Sequence, residues 1–267
     1  MNLQTFTSVP KRIISRLVSD KSPVLVYQMG KVASTSIYRT LANNSLGFPV
    51  YQIHRMNPEN LRETREKHAA RNIPMEKHEE RGARLYDELV RTKRRFRVIT
   101  LVREPISRNI SAFFQNLDAM VGKSDAHHLP TEELIESFLT GYPHNVPLTW
   151  FEKELLPTTG IDVYSSAFPK EIGFTTFENV NVRVLIMRHN LDDETKSASI
   201  CQFLKLDELP IRRANVAEQK PYADSSRKFI DSIKLPSSYV DRMLDSKYAK
   251  HFWSQAELQA IRQRWTT

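Results

Sequence analysis

The chain has 267 residues, 40% hydrophobic and 26% charged, with 39 Lys and Arg against 31 Asp and Glu. That length and apolar content suffice for a sizeable core in one large domain or two small ones, and only seven Gly beside 14 Pro exclude collagen-like and linker-like chains. A lone cysteine, Cys201, excludes an internal disulfide and a cysteine-built zinc site.

Without any apolar run of about eighteen residues, no membrane span is expected. The first twenty residues carry scattered charges and no apolar h-region, so no secretory signal is expected and a reducing cytoplasm fits best. The net charge of +8 points to an anionic partner. Residues 62–97 hold twelve Lys and Arg against seven Asp and Glu, which is +5 of that excess. This segment reads as a solvated helical face laced with i,i+4 pairs such as Glu80–Arg84 and Asp87–Arg91, and no nucleic-acid partner is expected from it.

In chain order, Val24-Leu25-Val26-Tyr27-Gln28-Met29 is a short apolar run after Pro23, the pattern of a strand buried on both faces. It runs into Gly30–Ser36 and then a helix with Ile37, Tyr38 and Leu41 on one side, for which Ser34 or Thr35 is the expected N-cap. A second strand is predicted at Val50–His54. Pro58 opens a helical region through about Arg71, and a further helix carries Leu85, Leu89 and Val90. The strongest strand is Phe96–Val102, ended by Arg103 and Glu104. Pro105 then starts a helix whose buried stripe is Ile106, Ile110, Phe113 and Leu117. Residues 118–148 read as irregular, with one helix near Glu132–Leu139, and another helix begins near Pro147. A last core strand is Val182–Met187, followed by helices broken at Pro210, Pro221 and Pro236.

Strands alternating with helices predict an α/β fold, a central parallel sheet covered by helices on both faces. With no linker-like stretch, residues 1–267 are expected to form one domain. In such sheets ligands sit beyond the C-terminal strand ends, which selects Gly30–Ser36, His54, Arg103–Glu104 and Arg188–His189.

Between a buried strand and a helix, Gly30-Lys31-Val32-Ala33-Ser34-Thr35-Ser36 aims backbone N–H groups and a helix N-terminus at one spot, which suits a phosphate. Lys31 adds a cation, three hydroxyls add donors, and Ala33 and Ser34 are small enough for close approach. It is not a Walker A loop, because its Lys comes early and no second Gly follows. Arg103 leaves the next strand end with a bidentate donor fork, and Ser111 lies two turns into the following helix, on the face that carries Ser107. Together the two could clamp a second phosphate.

These two elements, Gln28–Ser36 and Val102-Arg103-Glu104-Pro105 with Ser111-Ala112-Phe113, resemble the nucleotide motifs of sulfotransferases. The likeness is closest to carbohydrate sulfotransferases and to bacterial capsular polysaccharide synthesis proteins. It covers residues 24–117 best and extends weakly through Asn215, Lys220, Tyr222 and Tyr248–Trp253. It implies a P-loop-like three-layer fold and transfer of a sulfuryl group from 3′-phosphoadenosine-5′-phosphosulfate to a hydroxyl on a carbohydrate. By the same resemblance, Lys31, Ala33, Ser34, Thr35 and Ser36 hold the 5′-phosphosulfate. Arg103 and Ser111 hold the 3′-phosphate, and Lys220 is the candidate in the C-terminal cofactor loop. His54 is the candidate base, with Glu59 and Glu104 as alternatives and His189 behind them.

The reaction needs no metal, and Asp125, His127, His128 and His144 match no ligand spacing; they read as part of a loop over the acceptor. The sequons at Asn43 and Asn109 read as chance matches, since a glycan on the second would enter the nucleotide site. Tyr248, Lys250, His251, Phe252 and Trp253 read as helix packing, and Cys201 as a buried apolar filler. A kinase-like phosphotransferase and a non-enzymatic nucleic-acid binder are the alternative classes.

Overall fold

The computed structural model describes residues 20–70, 77–211 and 220–266. Its five-stranded sheet comprises β1 (Val24–Tyr27), β2 (Val50–Ile53), β3 (Phe96–Val102), β4 (Phe174–Glu178) and β5 (Val182–Arg188). The spatial order is β2-β1-β3-β5-β4, with β4 antiparallel to β5 and every other pairing parallel. Helices flank it: α1 (Ser34–Ala42), α2 (Pro58–Ala70), α3 (Lys77–Leu85), α4 (Pro105–Gln115), α5 (Leu117–Val121), α6 (Thr131–Gly141) and α7 (Val146–Trp150). Then follow α8 (Leu156–Thr159), α9 (Asp193–Leu204), α10 (Ala223–Ser232), α11 (Ser237–Leu244), α12 (Lys247–Phe252) and α13 (Gln255–Thr266).

β1 and β3 are buried along their whole length, which is why both read as unbroken apolar runs. The expected α/β class and parallel core hold. β4 was not legible: Phe-Thr-Thr-Phe-Glu is largely half-exposed and lies at the sheet edge. Residues 118–148 are more helical than expected, because α5, α6 and a 3₁₀ turn at Ala126–His128 occupy most of them. Cys201 is half-buried, not fully enclosed. Within the basic segment Arg91 bonds Asp87 at 2.8 Å, and Lys67 lies 3.7 Å from Glu63, both i,i+4 pairs. Arg71 and Asn215 lie outside the described residues.

The strand order fixes where a ligand can sit. From β1 the chain turns to β2 on one side, then crosses to β3 on the other. Beyond the C-terminal ends of β1 and β3 the two connections diverge, leaving the crevice at which open α/β sheets bind ligands. Lys31 follows β1 and Arg103 follows β3, so the crevice is flanked by both.

One close approach fixes the wall beside it. A Cβ at Gly82, in α3, would stand 1.9 Å from the main-chain oxygen of Arg55, just past β2. Gly82→Ala therefore forces helix and strand exit apart. Urea denaturation should show a loss of about 3 kcal/mol, the scale of overpacking against a rigid backbone. A variant of normal stability would mean that α3 is not seated on this segment.

Candidate functional site

The turn between β1 and α1 is built from unusual backbone. Gly30, Lys31 and Ala33 have φ of 84°, 62° and 62°. Lys31 and Ala33 carry a Cβ in the left-handed region, a cost of about 1 kcal/mol each that persists only where the surroundings enforce it. Ala33, not Ser34 or Thr35, is the N-cap of α1, and no side chain caps it. Backbone strain at Ala33 overrides the usual Ser/Thr capping preference here. With alanine at the cap, no N-cap side chain competes for the first N–H groups of α1, which suits an anion at this turn.

Arg108 grips this turn from beneath. It projects from α4, is 5% exposed, and donates from Nη2 to the oxygen of Met29 at 2.6 Å and from Nε to that of Gly30 at 3.2 Å. Its Nη1 reaches the Tyr142 hydroxyl at 2.9 Å and Asn109 Oδ1 at 3.1 Å. Every acceptor is neutral, so a buried positive charge lies uncompensated under the loop, and burial pushes its pKa down.

Lys31 is half-buried and donates to Gln115 Oε1 at 3.1 Å. Its pKa is lowered by burial first and then by the charges of Arg103, Lys220 and Arg108. Four cations thus share one field. Arg103 donates from Nη1 to the oxygen of Lys31 at 3.2 Å, tying one side of the crevice to the other. Its Nε is buried with no partner among the described residues, and burial lowers its pKa too. The Tyr248 hydroxyl fixes the Arg103 backbone, donating to its oxygen at 2.8 Å and accepting from its N–H at 3.2 Å.

Ser111 is half-buried on α4, one turn before Gln115 and on the same face; since Lys31 reaches Gln115, that face looks onto the loop. Ser107 is occupied, because Glu104 caps α4 by accepting from Ile106 N at 2.8 Å and Ser107 N at 2.7 Å, and also from the Ser107 hydroxyl. Glu104 is therefore committed to the cap and is a poor candidate base. Glu59 is exposed in the first turn of α2. Thr35 and Ser36 are half-buried on the first turn of α1, and the Ser34 hydroxyl accepts from Gln52 Nε2 at 3.4 Å. Lys220 is half-buried, and Tyr222 donates to the same Gln115 oxygen that Lys31 uses, at 3.2 Å.

His54 stands one residue past the Tyr27↔Ile53 pair, so it lies opposite Gln28. Its Nδ1 is 2.9 Å from Gln28 Nε2 and 3.0 Å from the main-chain oxygen of Gln28. Its ring meets His78 edge-on with centroids 5.0 Å apart, and its carbonyl accepts from Trp150 Nε1 at 3.3 Å. Burial, seconded by His78, Arg55 and Arg108, pushes its pKa down to about 4, so the ring is neutral at physiological pH.

His189 ends β5, three strands from β2 in the sheet and so roughly 14 Å away. Its Nδ1 is buried without a partner among the described residues, and its pKa is down to about 3 through burial and then Arg103. It borders the Arg103 side and not His54. Both imidazoles titrate lower folded than unfolded, near ~6.5. The unfolded chain then binds the extra protons, so their contribution is complete above about pH 6.5 and is lost as pH falls toward about 4 for His54 and about 3 for His189. The melting temperature should fall across that window, with a shallower slope in His54→Gln. An unchanged slope would show that His54 is not held neutral by the fold.

His144 is structural: its Nε2 lies 2.8 Å from the oxygen of Phe138 and its Nδ1 3.0 Å from the Tyr239 hydroxyl. The rings of His127 and His128 lie against each other in the 3₁₀ turn, tilted by 38° with centroids 4.1 Å apart. Asn109 is fully buried, which excludes a glycan there. Sequence reasoning missed Arg108 and Gln28 as site residues. For Arg108 the available sign was an arginine set between Ile106 and Ile110, inside a helix that is buried almost all round.

A cation-lined crevice at the switch point of an α/β sheet, with a neutral imidazole at its edge, is an arrangement suited to an anionic ligand. Residues 15–136 match the family model described as Sulfotransferase family, and residues 132–254 match the one described as Putative capsular polysaccharide synthesis protein. The sulfotransferase likeness read from the two motifs is borne out by the first match, and with it the P-loop-like class of the fold, while the second bears out the likeness to capsular polysaccharide synthesis proteins. Sulfotransfer is the activity this family supports. No curated protein and no solved structure matches the chain. Among the described residues no helix is long and apolar enough to cross a membrane.

Proposed function

We propose that this protein transfers a sulfuryl group from 3′-phosphoadenosine-5′-phosphosulfate to a hydroxyl of a carbohydrate or polysaccharide. The observation that carries the reading is the convergence of Lys31, Arg103, Arg108 and Lys220 on one uncapped strand-to-helix turn with no carboxylate among the bonded partners of the first three. Such a site is stabilised by a multiply charged anion. The unpartnered Arg103 Nε suits a phosphate oxygen. The match to a polysaccharide synthesis family supports a carbohydrate acceptor.

In this reading the α1 N-terminus with Ser34, Thr35 and Ser36 holds the phosphosulfate, close to the small Ala33. Arg103 and Ser111 fix the nucleotide's 3′-phosphate, and Lys220 adds charge at the same site. The acceptor oxygen gives its proton to His54 as its bond to sulfur forms. The bond from sulfur to the phosphate oxygen breaks, releasing adenosine 3′,5′-bisphosphate. Lys31 offsets the charge growing on that leaving oxygen. Catalysis rests on positioning and charge stabilisation, as in phosphoryl transfer. No nucleic acid, membrane span or metal is part of the reaction, and residues 1–267 act as one cytoplasmic domain.

The test is transfer of radiolabelled sulfate from the donor to a panel of capsular-type polysaccharides. Label in the polymer is expected. Transfer of phosphate from ATP instead, with no sulfate incorporated, would overturn the reading.

A further inference from the structure

Gln28 is buried at 1% exposure between the two halves of the site, and each end of its amide does something different. Its Oε1 accepts the N–H of Gly30, the first residue of the donor loop. Its Nε2 is 2.9 Å from His54 Nδ1. An amide whose oxygen is taken by Gly30 can only present its NH₂ to the imidazole. Nδ1 must then be the acceptor, and the proton of the neutral ring sits on Nε2. A ring in that tautomer has no lone pair at Nε2 to take a proton from a hydroxyl.

The second partner of Nδ1 offers the alternative. The main-chain oxygen of Gln28, at 3.0 Å, can accept from a protonated Nδ1, which leaves Nε2 bare. One nitrogen cannot serve both partners at once, so the ring has two states that differ in which part of Gln28 it addresses. What selects between them is the Gly30 N–H. Once an anion in the loop takes that N–H, the side-chain oxygen of Gln28 is released. The amide can then turn its oxygen toward Nδ1, favouring the state with Nε2 free.

We propose that Gln28 is a positioning residue that couples the donor loop to His54, so that filling the loop moves the imidazole proton from Nε2 to Nδ1. The inference rests on the sulfotransferase reading of the loop and on His54 as base. The other groups that face the ring are His78 from α3, together with Arg55 and Arg108. Among the described residues both hydrogen-bond partners of Nδ1 belong to Gln28, its side-chain amide and its main-chain oxygen.

The experiment is long-range ¹⁵N–¹H NMR of histidine-labelled protein, with the His54 signals identified by their loss in His54→Gln. Spectra are recorded with and without adenosine 3′,5′-bisphosphate, whose binding is measured separately by calorimetry. Without ligand the wild type should show the proton on Nε2, and with saturating ligand on Nδ1. Gln28→Ala should bind the ligand within about tenfold and show no ligand-dependent change of tautomer. Gln28→Glu, isosteric and able to accept from Gly30 but not to donate, should hold the proton on Nδ1 in both conditions and serves if the alanine variant does not fold. A wild-type tautomer that stays put when calorimetry shows the ligand bound overturns the coupling and leaves the donor site standing. A shift of equal size in Gln28→Ala or in Gln28→Glu also overturns it. Absence of any calorimetric binding overturns the donor reading itself, and the coupling with it.

Discussion

Arg108→Met should lower the affinity for adenosine 3′,5′-bisphosphate by at least about 100-fold, roughly 3 kcal/mol. The guanidinium makes two charge-assisted bonds to consecutive loop carbonyls, those of Met29 and Gly30, and supplies charge beneath the turn. Methionine fills much of the same space and does neither. Arg108→Lys keeps the charge but cannot reach both oxygens and Tyr142 at once, so its affinity should fall between the two. Calorimetry on variants that still melt cooperatively is the measurement. Wild-type affinity in Arg108→Met would show that the loop holds its left-handed residues unaided and that the charge below it is irrelevant to binding.

The second large effect concerns rate. His54→Ala should lower turnover by about 10²–10⁴, the usual worth of a general base, while the affinity for adenosine bisphosphate stays within about threefold. Binding and rate separate because none of the bonds of His54 goes to Lys31, Arg103 or Ser111. Lys31→Ala should lose both, since Lys31 stands in the shared cationic field. The low pKa of His54 keeps it unprotonated and also makes it a weak base in the empty protein. A bound multiply charged anion would draw its pKa back up toward neutrality. Near-normal turnover in His54→Ala would move attention to Glu59, because Glu104 is already spent as the cap of α4.

How far the sequence reached depended on what kind of physics each feature obeys. β1 and β3 are buried on both faces, so their apolar runs announced them and their ends located Lys31 and Arg103. β4 is an edge strand with two threonines on a half-wet ribbon, which gives no such run. The cap of α1 was misread because residue preference describes an average helix start. This one is set by a turn with Lys31 and Ala33 both at positive φ. Arg108 was overlooked because composition cannot tell an arginine facing water from one folded under a loop; two of its bonds go to main-chain oxygens, those of Met29 and Gly30, that sequence does not reveal. Gln28 looked like one more residue of a strand. Its role comes from register, since pairing of Tyr27 with Ile53 is what sets it opposite His54.

The central claim is that the crevice between β1 and β3 is a site for the adenosine bisphosphate half of a sulfate donor. The most direct test is calorimetric titration of the protein with adenosine 3′,5′-bisphosphate and, separately, with ATP and Mg²⁺. Saturable binding of the bisphosphate is expected, at least tenfold tighter than ATP with Mg²⁺ and weakened in Arg103→Ala. Tighter binding of ATP with Mg²⁺, or an Arg103→Ala variant that binds the bisphosphate as the wild type does, would contradict it.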